Sequence, residues 1–107
     1  MKNLTLIVHT DIKQALADAL RGLEAVEGFT LMPIEGHGPQ GARDAFLSAR
    51  DQVVGYVPHM RVDLVLDDAD VDKVLAVLQA SNYGVAGRGV YWVTHLERQG
   101  QIGRAHV

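Results

Sequence analysis

Cysteine is absent from this chain of 107 residues. That excludes disulfides, thiolate metal sites and cysteine nucleophiles. Lysine is scarce, with only Lys2, Lys13 and Lys73, and the arginines are scattered, giving a formal net charge of -3 and a pI of about 5.9. Such a balance lacks the clustered basic face that nucleic-acid binding requires. Long hydrophobic runs are missing as well. The apolar stretch at Leu4–Val8 breaks off after five or six residues, too short for a signal-peptide core or a membrane span. No catalytic constellation is visible: Ser48 and Ser81 lie outside any GxSxG pattern, and no acid–base pair is identifiable from spacing. The expectation is a soluble, cytoplasmic, non-enzymatic protein forming one domain over residues 1–107.

What is present is a regular alternation of elements. Leu4–Val8 is short and rich in branched apolar residues, as in a buried strand. Thr10 and Asp11 offer an N-cap and an early acidic charge to a helix. Ile12, Ala15, Leu16, Ala19, Leu20 and Leu23 give that helix one apolar stripe, with Gly22 and Gly28 at its exit. Phe29–Ile34 is a second strand, and Pro33, which cannot donate to a ladder, places it at an edge or a bulge. Met60–Leu66 is a third, with Val62, Leu64 and Leu66 on one face. Asp67, Asp68 and Asp70 open a second helix, striped by Val71, Val74, Leu75 and Leu78. This acidic run lacks the glycine and distal glutamate of a calcium loop and acts as a helix cap. Val90–Leu96 is a fourth strand, and a polar tail occupies about 99–107.

Between the second and third strands lies a loop, about 37–57, opened by Gly36-His37-Gly38-Pro39-Gln40-Gly41 and closed by Gly55-Tyr56-Val57-Pro58. Loops of such length in compact domains are usually functional or disordered. Asp44–Val54 inside it has the spacing of a helical turn or two. A second glycine-rich loop, Gly84-Val85-Ala86-Gly87-Arg88-Gly89, precedes the fourth strand. Its glycines suit a tight connection at positive φ, or a cradle of backbone N–H groups for an anion.

The order strand, helix, strand, long loop, strand, helix, strand gives an α+β ferredoxin-like βαββαβ plait, with both helices on one face of an antiparallel sheet. The opposite face carries Thr5 and Ile7, or Val90, Trp92 and Thr94, depending on register. An uncovered, partly apolar face in a small chain favours a subunit interface. Tyr91 and Trp92 alternate, which places one under the helices and the other at that interface.

These residues, from Gly36-His37-Gly38-Pro39-Gln40-Gly41 through Pro58–Leu66 and Asp70–Val74 to Gly84 and Gly87-Arg88-Gly89 before Val90-Tyr91-Trp92-Val93, resemble the PII signalling superfamily. The resemblance extends to a PII-like branch encoded beside heavy-metal efflux pumps, through Val26-Glu27-Gly28-Phe29-Thr30, Glu35-Gly36-His37-Gly38 and Leu96-Glu97-Arg98-Gln99-Gly100. It implies a homotrimer whose intersubunit clefts take a small effector, such as ATP, ADP or AMP, and whose long loop (the family's T-loop) governs a partner protein. By resemblance that partner is a membrane transporter linked to metal resistance. The implied ligand-binding residues are Gly36, His37, Gly38, Gln40, His59, Gly84, Gly87, Arg88 and Gly89. Nucleotide-binding relatives carry lysine where Val90 and His59 stand here, and an arginine-rich motif where Gln101-Ile102-Gly103-Arg104 stands, so cationic partners for a triphosphate are few.

A second expectation concerns metal. Across the base of a hairpin between the second and third strands, His37 and His59 would form an imidazole pair suited to Zn, Cu or Ni. Asp63, Glu35, or a neighbouring subunit's His95 or His106 could complete it, and the protein would then be a metal-binding or metal-responsive trimer linked to heavy-metal efflux, similar in architecture to the copper-tolerance (CutA-like) trimers. No His-x-x-x-His or His-x-His spacing marks the pair, and ordinary loop or strand-end histidines are the competing explanation.

Overall fold

The computed structural model describes residues 1–37, 57–80 and 89–103. The helical turns expected in Asp44–Val54, the site residues Gly38, Gln40, Gly84, Gly87 and Arg88, and the last four residues lie outside the described residues.

Among the described residues, four strands and two helices follow one another as expected: β1 (Lys2–His9), a 3-10 turn (Thr10–Ile12), α1 (Lys13–Arg21), β2 (Phe29–Gly36), β3 (Val57–Leu66), α2 (Asp68–Ala80) and β4 (Val90–His95). The strands form one sheet in the order β2-β3-β1-β4, and every neighbouring pair is antiparallel. This is the ferredoxin-like plait. Pro33 sits on β2, an edge strand, where a missing donor is tolerated.

Register decides which side chains share a face. Leu4, Leu6 and Val8 of β1 stand opposite Leu64, Val62 and Met60 of β3. With Leu66 they meet Ile12, Leu16 and Leu20 from the first helical segment and Val71, Val74 and Leu78 from α2 in one core. Phe29 and Leu31 of β2, opposite Leu64 and Val62, pack at its margin. Removing these side chains from water is the main term holding the sheet to the helices.

The start of the first helix departs from the expected capping. A 3-10 turn comes first, and His9 caps it: its Nδ1 accepts a hydrogen bond from the backbone N–H of Asp11 at 3.0 Å. An imidazole acceptor two residues before the Asp11 N–H does the work expected of Thr10. At the exit, the Gly22 N–H reaches the Asp18 and Ala19 carbonyls at 3.3 and 3.2 Å. In α2 the Asp70 N–H bonds the Asp67 carbonyl at 2.9 Å, so the acidic run opens the helix as expected.

β4 corrects a further expectation. Tyr91 and Val93 share the helix side, since they oppose Leu6 and Leu4. Yet every residue of β4 is exposed, and Tyr91 keeps 50% of its surface. The helices cover the β1–β3 centre of the sheet, and the outer strand extends past that cover.

Candidate functional site

The open face of the sheet is not uniform. Thr5, Ile7 and His9 of β1, Arg61, Asp63 and His59 of β3, and Val90, Trp92 and Thr94 of β4 share it by register. Its centre is a polar cluster built on Asp63. Thr5, fully buried although it faces away from the helices, donates its hydroxyl to Asp63 Oδ1 at 2.8 Å. Asn3 Nδ2 reaches the same oxygen at 3.3 Å and Thr5 Oγ1 at 3.2 Å. Arg61 approaches from the other side, with Nε 3.0 Å from Asp63 Oδ2 and an Nη 3.4 Å from Oδ1. The guanidinium also lies 5.8 Å from the centre of the Trp92 ring. Burial pushes the Asp63 carboxyl up, but the hydrogen bonds from Arg61, Thr5 and Asn3 and the Arg61 charge outweigh it, holding the group below the usual carboxylate range.

Around this centre the face is apolar and open, with Met32, Val65, Val90 and Trp92 all substantially exposed. A satisfied polar core ringed by exposed apolar side chains is the composition of a surface able to pack against protein.

One end of the sheet gathers the described candidates. β1 finishes at His9, β2 finishes at Gly36 with His37 next in the chain, β3 begins at Val57, and β4 begins at Val90 just after Gly89. Residues 38–56 leave from and return to this end, and residues 81–88 lead into it. Gly36, His37, His59 and Gly89 therefore lie toward the same end of the sheet although they are scattered in sequence, with Gly36 on one outer strand and Gly89 just before the other.

The histidine pair is arranged differently from the expected one. His59 opposes Ile34 in β2 and His9 in β1, whereas His37 lies beyond the last β2–β3 pair, Gly36 with Val57. His37 Nε2 is 3.1 Å from Glu35 Oε2 on the exposed strand end. Of the other donors considered for that pair, Asp63 is taken up by Arg61, and within the chain His95 opposes Lys2 at the far end of the sheet. The imidazole that meets His59 is His9, with ring centres 6.2 Å apart and planes at 63°. Among the described residues no group of three or more histidine, aspartate and glutamate side chains is placed to hold a metal.

Sequence reasoning passed over His9, Asp11, Arg61 and Thr5 as site residues. The signal was parity: Asn3, Thr5 and His9 of β1 and His59, Arg61 and Asp63 of β3 fall on odd positions, against Leu4, Leu6, Val8, Met60, Val62, Leu64 and Leu66 on even ones. Without the register, parity does not say that the two sets meet.

A family model described as "Protein of unknown function (DUF3240)" matches residues 1–103. A crystal structure of a DUF3240 family protein from Shewanella baltica superimposes with a TM-score of 0.73 at 23% identity, covering 94% of each chain, a likeness of fold. The nitrogen regulatory protein GlnK of Escherichia coli is 24% identical over 99 residues, 92% of this chain and 88% of that protein. The nitrogen regulatory protein P-II of Haemophilus influenzae is 25% identical over 89 residues, 82% of this chain and 75% of that protein.

Proposed function

Because the chain belongs to the DUF3240 family and has nitrogen regulatory PII proteins as low-identity relatives, we propose that it is a PII-like signalling regulator. It senses a small ligand, an adenine nucleotide or another anion, and conveys its presence to a partner protein through residues 37–57. The observation that carries this reading is the gathering of Gly36, His37, His59 and Gly89 at the one sheet end from which the two glycine-bearing connections spring. Backbone N–H groups on glycine segments suit an anion, and a loop that changes order on ligand binding is a standard switch.

The working unit of this proposal is a homotrimer, with the open sheet face turned toward neighbouring copies and the ligand held in the clefts between them. The exposed apolar ring around a satisfied Asp63 centre supports such packing. The partner is a membrane transporter, and the regulator itself carries out no chemistry on its ligand. Among the described residues no helix is long and apolar enough to cross a membrane.

Calorimetric titration with ATP, ADP and AMP tests the sensing step. The expected result is saturable binding of at least one nucleotide at one site per chain, weakened by Arg88→Ala, with the nucleotide recovered unchanged by chromatography. Heats at the level of dilution for all three nucleotides would remove the nucleotide from the proposal. Partner capture by a variant lacking residues 42–54 tests the output step: capture equal to that of the intact chain would acquit the loop.

A further inference from the structure

We draw no further inference here: the strongest candidate, the outer strand β4, whose Val90, Tyr91, Trp92 and Val93 are exposed on the two sides of the sheet, carries nothing because nothing in the structure shows what covers it.

Discussion

The two faces of this sheet are cut from the same strands and differ in almost every respect. On the helix side, Leu4, Leu6, Val8, Val62, Leu64 and Leu66 are buried among α1 and α2 residues and carry no polar group. On the other side a fully buried threonine hydroxyl, an amide, a carboxylate and a guanidinium satisfy one another, ringed by exposed apolar side chains. The first face is finished within the chain. The second has its polar interior complete and an apolar rim that is exposed, which is the composition of a surface able to pack against protein. A face can thus be well ordered and still open.

Substitutions on each face separate these roles. The largest effect belongs to the finished side: Leu64→Ala, at a fully buried position between Leu4 and Phe29, lowers stability by about 2–5 kcal/mol in urea titration. A smaller loss would mean that the helix face can collapse around a cavity and is less tightly built than its burial says. On the open side, Asp63→Asn keeps an acceptor but removes the charge that Arg61 meets, and costs about 1–3 kcal/mol.

The pH dependence sharpens this second prediction. Asp63 titrates below its ordinary value of 3.8 in the folded chain. The unfolded state therefore takes up the proton first as pH falls. The stabilisation is complete above the ordinary value and is lost as pH drops through the lower folded one. The urea midpoint should accordingly decline below about pH 4, and part of that decline should vanish in Asp63→Asn. An identical decline in the variant would mean that other carboxylates dominate.

The smallest effect on the chain itself is expected for Trp92→Ala. Trp92 is 44% exposed and stacks on Arg61, an interaction worth about 0.5–1 kcal/mol at an open position. Its consequence should appear in assembly instead, as a shift toward smaller species in analytical ultracentrifugation. A large stability loss with assembly unchanged would reverse the distinction between the faces.

The sequence showed the helix side plainly, because burial imposes a period that composition reveals. Val62, Leu64 and Leu66 alternate, and Val71, Val74 and Leu78 recur at helical spacing. Pro33 marked an edge because a missing N–H has only a few places to go. The strand ends were less legible. β2 runs on through Gly36, and β3 begins at Val57, before Pro58. Neither glycine nor proline advertises a strand, and tertiary pairing overrides them. Pro58 is accommodated there because β1 has already ended at the His9–His59 pair, leaving β3 with β2 as its partner. The candidate site was least legible. Gly36, His37, His59 and Gly89 could be named from resemblance, but the meeting of His9 with His59 depends on a register between strands fifty residues apart. A slip of one residue would have sent the two rings to opposite faces.

The position of Pro33 reaches beyond local geometry. A four-stranded sheet with two outer strands is a bar that could in principle be laid end to end, outer strand against outer strand, without limit. Strands accommodate proline with its donorless nitrogen turned out of the ladder, and Pro33 stands in the middle of β2, one of the two outer strands. A growing ribbon would meet a missing hydrogen bond at every repeat. For a chain that exposes Val90, Tyr91, Trp92 and Val93 along its other outer strand, one ring closed over an amide nitrogen is a safeguard against polymerisation into fibres.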